Sequence, residues 1–285
     1  MVKETMVIGS EETEFNRMLG STAHWTAAVR ARESKRKDRL FNDPWAANLA
    51  GQEGMAWIEQ KSEVSTIAMV LRTRFFDDFL QHITVVKKIR QVVLVAAGLD
   101  TRAFRLNWPE HLKLFELDLA QVLEYKERIL QNAGAKPGCE RRVIPVDLTA
   151  QWEDSLFQAG FDATQPSGWL MEGFLFYLSP ENLIHLLERT MSLVVSGSYL
   201  GFDIINRNML TSEFTKDWVK MQADSGAPWL STMDDPETFM ATRGWKSTIT
   251  PLGAPEVNHN RWPYPPITKK IPEMPYLLFV TREKE

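Results

Sequence analysis

The stretch QVVLVAAGLDTRAFRL, residues 91–106, decides how this chain reads. It begins as an apolar, β-branched run and passes into a glycine turn, the pattern of a buried parallel strand leading into a nucleotide site. A dinucleotide loop needs three glycines, so that the backbone can approach a pyrophosphate and a helix N-terminus can face it. Here Ala96-Ala97-Gly98-Leu99-Asp100-Thr101-Arg102 holds one glycine and places a carboxylate in the turn. Asp100 would repel phosphate and favour a cationic ligand instead.

The next two apolar runs end in the same way. FELD closes the second with Asp118, followed by Leu119; an acidic residue at this distance from the glycine turn accepts hydrogen bonds from the two hydroxyls of a ribose. VDL closes the third with Asp147, able to bond an exocyclic adenine amine, and Leu148, able to flank the ring. Acidic strand ends without a phosphate cradle suit a nucleoside with a positive centre, and S-adenosyl-L-methionine is such a cofactor. Aspartates in these positions also cap helices, so spacing by itself leaves both readings open.

Outward from this stretch the chain changes character. Residues 1–90 show helical spacing and no strand alternation, and are expected to form a helical cap or lid. LFNDPWAANLAG turns at Asn42-Asp43-Pro44, with Pro44 expected in the first turn of a short helix. From 91 to 285, apolar runs at 91–98, 112–118, 142–148, 168–178 and 197–205 alternate with helical segments, and two final strands follow without a full-length helix between them. Such alternation predicts an α/β fold: a seven-stranded, mainly parallel, Rossmann-like sheet with helices on both faces. An insertion at about 206–232, after the fifth strand, is available as a lid over the carboxyl edge of the sheet.

The 285 residues are 44% hydrophobic and 25% charged, with a net charge of −4. These values fit one globular unit and argue against nucleic acid as the main partner, since phosphate neutralisation needs a basic face. The basic run RARESKRKDR (30–39), interrupted by Glu33 and Asp38, is expected to be a solvated helix face. No apolar segment is long enough for a membrane helix. The acidic N-terminal residues do not resemble a signal or transit peptide, which leads us to expect a cytoplasmic protein. Cys139 is the single cysteine, which excludes a disulfide framework or a multi-cysteine metal site, and no metal is expected.

The segments AAGLDTRAFRL, FELDLAQVLEYK, VDLTAQW and WLMEGFLFYLSPE resemble, in order and spacing, the leucine carboxyl methyltransferase-like family of class I methyltransferases. The N-terminal AAVRARESKRKDRLFNDPWA and LRTRFFDDFL are similar to its bacterial branch, which includes polyketide carboxyl methyltransferases of the tetracenomycin type. The resemblance runs from about residue 22, with 206–232 the least family-like part. It implies a seven-stranded class I fold that binds S-adenosyl-L-methionine. On the matching positions it implies that Asp118 holds the ribose and that Asp147 and Leu148 hold the adenine. Glu172 then lies beside the methionine part, and Arg72 and Arg30 reach toward the methionine carboxylate, a pairing that suits the guanidinium fork. The family usually has glycine where this chain has Ala96. Alanine accepts negative φ easily and resists positive φ, and cofactor binding is expected to survive the change.

Methyl transfer from a sulfonium needs alignment and exclusion of water more than chemistry from side chains. A carboxylate acceptor is already ionised at neutral pH, whereas a phenol or alcohol gains from a base. His82, His111 and His185 fall away from the expected site; His24 and His259 lie on segments able to line a pocket, so either is a candidate base. Tyr177 is the best candidate for touching substrate, because its hydroxyl needs a partner. Phe214, Trp218, Met221 and Trp229 of the insertion suggest an apolar, aromatic small-molecule acceptor. We therefore expect an O-methyltransferase acting on a carboxylate of an apolar metabolite, in secondary metabolism. Transfer to a phenol or hydroxyl, or cofactor binding without turnover, are the alternatives.

Overall fold

The computed structural model describes residues 22–59, 63–224, 226–265 and 276–284. The expected helical segment before Thr22 and most of the proline-rich stretch before the last strand lie outside those residues.

Seven strands form one sheet in the order β3-β2-β1-β4-β5-β7-β6. They are β1 (Gln91–Val95), β2 (Lys113–Asp118), β3 (Glu140–Pro145), β4 (Gly168–Met171), β5 (Tyr199–Ile205), β6 (Trp245–Pro251) and β7 (Leu277–Lys284). The first five are parallel, and β7 inserts antiparallel between β5 and β6. β1 is buried along its whole length, as an unbroken apolar run must be in a sheet covered on both faces.

Helices precede and follow β1. The N-terminal ones are α1 (Thr22–Ser34), α2 (Ala46–Ile58) and α3 (Glu63–Gln81), the last running on into a π turn, His82–Val86. After β1 come α4 (Arg102–Arg105), α5 (Ala120–Asn132), α6 (Glu153–Gln158), α7 (Pro180–Ser192), α8 (Asn208–Thr211), α9 (Lys216–Asp224) and α10 (Pro236–Ala241). α7 starts where Ser179 accepts a hydrogen bond from Asn182 N and Pro180 takes the first turn, and α10 starts on Asp235 in the same manner. α3 packs onto β5, where a Cβ on Gly201 would lie 2.8 Å from the Phe79 ring. Phe75 and Phe76 of α3 also meet Phe279 of β7, at 4.7 and 5.7 Å between ring centres. The N-terminal helices therefore share a hydrophobic core with the sheet.

Several sequence expectations need correction. The fourth strand ends at Met171 rather than at residue 178, because Gly173 turns with φ +67° and donates its N–H to Asp203; Leu175–Tyr177 then forms a 3-10 turn. The third strand stops at Pro145, which has no N–H to extend a ladder. Pro44 precedes α2 instead of entering it, and α2 kinks at Gly51 (φ +62°). The 30–39 run is not wholly a solvated face: Arg30, Ala31 and Glu33 are buried, while Arg32 and residues 35–39 are exposed. In the insertion, Phe214 is 95% exposed.

Candidate active site

β1 has β2 on one side and β4 on the other. Chains leaving these neighbouring strands diverge, and in an open α/β sheet this switch point is where a crevice opens at the carboxyl edge. A cavity of about 310 Å³ lies there, within the usual range for small-molecule sites. The turn after β1, the end of β2 and the turn after β4 form its floor. α1, α3 and the segment after β5 close over it. Arg30, Arg72, Ala96, Gly98, Asp100, Asp118, Leu119, Glu172 and Tyr177 all line it.

The turn after β1 is shaped by its own hydrogen bonds. Ala97 N donates to Leu117 O across the sheet (3.0 Å) and Asp100 N donates to Ala97 O (2.9 Å). This geometry puts both Ala96 (φ +54°) and Gly98 (φ +47°) in the left-handed region. Ala96 therefore occupies the conformation that alanine resists, a local strain of about 1 kcal/mol or more held by the surrounding bonds. Gly98 N and Leu119 N donate to the two oxygens of Asp118 at 2.6 and 2.7 Å. Burial raises the pKa of Asp118 above its ordinary value against the pull of those two N–H groups. An ionised carboxylate has about four acceptor positions, so two remain for a diol.

At the other side of the turn, charges meet at close range. Arg72, on α3, donates to Glu172 at 3.0 Å and to Asp203 of β5 at 3.1 Å, and Asp203 also receives Gly173 N at 2.6 Å. Arg102 pairs with Asp77 and Glu172, each at 2.7 Å, and with Asp100. Arg105 binds both oxygens of Asp77, at 2.6 and 2.7 Å. Burial by itself would raise the Asp100 pKa, but Arg102, Lys126 and Arg105 outweigh it and hold the group at about 2. Asp203 moves in the opposite direction: desolvation prevails over Arg72 and raises it. Arg30 is engaged with Asp43 (2.8 Å) and Leu99 O (2.6 Å), and Thr101 donates to the same Asp43 oxygen. It holds the turn through its carbonyl.

The far end of the cavity is aromatic. Phe176 packs on Trp229 at 5.4 Å and on Tyr177 at 4.8 Å, and Trp218 meets Trp229 at 5.1 Å. Gln222, on α9, donates to the Tyr177 hydroxyl at 3.1 Å. Burial raises the Tyr177 pKa.

Four sequence candidates are not brought to the cavity. Asp147 is exposed and turned back on Thr149, which donates to it at 2.9 and 2.7 Å; Leu148 is half-buried beside it. His24 faces α2, with Nδ1 3.1 Å from Ala50 O and its ring edge-on to Tyr125. His259 is exposed at φ +47°, and burial with Arg74 nearby lowers its pKa. Neither histidine is placed to serve as a base. His82, His111 and His185 are exposed. No group of metal-ligating side chains occurs among the described residues, and no helix among them is long and apolar enough to cross a membrane.

Sequence reasoning missed Asp77, Arg102, Asp203 and Gln222. For Asp203 a signal was present: a carboxylate inside the apolar run GFDII must be paired when buried.

The strand order, with β7 antiparallel between β5 and β6, and the cavity at the β1/β4 switch define a class I methyltransferase fold. A DUF574 family protein from Streptomyces avermitilis has the same fold: it superposes with a TM-score of 0.61 at 15% identity, covering 91% of this chain and 97% of its own. The profile of the leucine carboxyl methyltransferase family matches residues 23–191. A Saccharopolyspora erythraea protein, provisionally named an S-adenosyl-L-methionine-dependent methyltransferase, is 37% identical over 252 residues, covering 82% of this chain and 86% of the relative. A similarly named Streptomyces coelicolor protein is 37% identical over 253 residues, covering 85% and 88%. The chain belongs to the leucine carboxyl methyltransferase family. It is an S-adenosyl-L-methionine-dependent methyltransferase.

Proposed function

We propose that this enzyme methylates a carboxylate of an apolar small molecule. One observation carries the reading: among the described residues, no histidine lines the cavity, and the carboxylates that line it are already held by arginines or backbone N–H groups. Tyr177, with its raised pKa, is a poor proton acceptor at neutral pH. Such a site favours an acceptor that arrives ionised, and a carboxylate does.

In this reading Asp118 receives the ribose hydroxyls on its remaining acceptor positions. Arg72 engages Glu172 and Asp203 through Nε and one terminal nitrogen, and its other terminal nitrogen retains donors for the cofactor's carboxylate. Arg30 acts one step removed, through Leu99 O and Asp43. Asp100 and Glu172 face the cationic groups, and Ala96, Gly98 and Leu119 shape the floor. The adenine roles assigned to Asp147 and Leu148 require those residues to turn toward the cavity. The bound cofactor supplies an activated methyl group; the chain aligns the acceptor and keeps water out. Phe176, Trp218 and Trp229 suit a flat apolar acceptor, and residues 206–232 act as its lid.

The test pairs a panel of aryl and alkyl carboxylic acids with the matching phenols and alcohols, each incubated with enzyme and S-adenosyl-L-methionine. A product methylated on the acid and cleaved by mild base is expected. Base-stable ethers from the phenols, with no esters, would reverse the assignment.

A further inference from the structure

Arg102 has an unusual position for a residue that is 2% exposed. Its guanidinium meets three carboxylates from three separate parts of the chain: Asp77 of α3, Asp100 of the turn after β1, and Glu172 after β4. Arg102 itself lines the cavity, as do Asp100 and Glu172, while Asp77 does not. Its own backbone N–H also donates to Asp100 at 2.6 Å, and its side chain donates to Thr73 O at 3.3 Å. Behind it, Arg105 anchors Asp77 with two bonds.

Without Arg102, Asp100 and Glu172 would be two like charges facing one small cavity, free to repel each other. We propose that Arg102 is a positioning residue, whose guanidinium is taken up by three carboxylates and holds Asp100 and Glu172 as a paired clamp for the cationic groups of S-adenosyl-L-methionine. The inference rests on the cofactor placement proposed above. Arg72, Arg102 and Arg105 stand against Asp77, Asp100, Glu172 and Asp203, three positive charges against four negative. Arg30 and Asp43 cancel, and Asp118 adds one more carboxylate, with Lys126 the other cation acting on Asp100 and Asp118. The excess is negative, as a ligand carrying both a sulfonium and an ammonium requires. The demethylated product lacks the sulfonium charge and gains less from it.

A role for Arg102 in packing alone would weaken all ligands alike at every pH, and this separates the two explanations. Calorimetry with S-adenosyl-L-methionine and S-adenosyl-L-homocysteine, on wild type, Arg102→Gln and Arg102→Lys, between pH 7.0 and 5.0, provides the test. Amino-acid α-amino and α-carboxyl groups do not titrate appreciably in that window. Any slope contributed by Asp118 or Asp203 appears in wild type as well and is subtracted. With the Arg102 guanidinium removed, Asp100 keeps Lys126, Arg105 and the backbone N–H of residue 102 against burial, so its pKa rises and it takes up a proton at higher pH than in wild type. Arg102→Gln should therefore lose affinity for S-adenosyl-L-methionine from pH 7.0 to 5.0, by about twofold or more relative to wild type. The loss for S-adenosyl-L-homocysteine should be smaller. Arg102→Lys keeps the charge and should restore the wild-type pH profile, so the test survives if the glutamine variant does not fold. A parallel loss of both ligands that is independent of pH, or a lysine variant as pH-sensitive as the glutamine variant, overturns the proposal. If wild type binds neither ligand, it falls together with the cofactor placement; if wild type binds both but forms no ester, only the acceptor reading falls.

Discussion

The two ends of the cavity are built on different physics. Around Arg72 and Arg102 the side chains are charged, buried or half-buried, and held largely by partners from other elements, so geometry there is enforced by the cost of leaving a charge unpaired. Around Phe176, Trp218 and Trp229 the side-chain contacts are aromatic edges and faces, with neutral hydrogen bonds such as that from Gln222 to the Tyr177 hydroxyl. A charged lattice accepts few substitutions because each removed partner strands another group. An aromatic wall changes in graded steps, as lost area and volume. The family match spans residues 23–191, which includes Arg72, Asp77, Asp100, Arg102 and Glu172 of the charged end and Phe176 and Tyr177 of the aromatic end, and stops before Asp203, Trp218, Gln222 and Trp229.

The strongest way to break this contrast is Asp203→Ala, which strands Arg72 and Gly173 N in a buried setting. A destabilisation of about 3–5 kcal/mol is expected by denaturant titration; a loss below ~1 kcal/mol would mean the lattice is looser than its distances imply. Asp118→Ala should leave folding largely intact and lower affinity for S-adenosyl-L-homocysteine by about 100-fold, through two lost charge-assisted bonds. Calorimetry showing unchanged affinity would remove the ribose assignment.

Tyr177→Phe sharpens the aromatic side. With a carboxylate acceptor, kcat should fall by no more than about tenfold and keep its pH profile. A drop of 10²-fold or more with an altered profile would identify Tyr177 as a base and the acceptor as a phenol or alcohol.

Acid titration separates the two ends again. Asp77 and Asp100 have lowered pKa values, because their arginine partners outweigh burial. As pH falls the unfolded chain takes up protons before the folded one, so both supply stability that is present above about pH 4 and lost as the pH falls through the folded-state pKa, which for Asp100 is about 2. Asp118 and Asp203, raised by burial, act in the opposite sense at higher pH. Asp100→Asn should flatten the fall below pH 4, measured by urea midpoints at each pH. The smallest effect is expected from Ala96→Gly. Relief of the left-handed alanine, offset by glycine's greater entropy when unfolded, should change stability by at most about 1 kcal/mol, or about 2–4 °C in Tm by calorimetry.

Much of the sheet was legible because its signals are local. Apolar runs bounded by turns marked all seven strands, and the acidic residues ending β1's turn and β2 were readable as ligand groups before any coordinates. The fourth strand was drawn too long because FLFYL is as apolar as a strand; the break comes from Gly173 bonding to Asp203, thirty residues away. Asp147 was misplaced for a related reason: its short-range bonds to Thr149 compete with any role in the cavity. His24 and His259 lay on plausible segments, but a segment's path does not set the direction of a side chain.

The sequence by itself determined the strand–helix alternation, the single-glycine turn after the first strand and the carboxylates at Asp100 and Asp118, because each is written in a short run of neighbouring residues. Only the tertiary structure decided how those carboxylates are paired. Arg72 finds Glu172 and Asp203 across 100 and 131 residues, and Arg102 finds Asp77 across 25. Charge pairing at that range depends on which elements the hydrophobic core brings together, and no local pattern of residues encodes it.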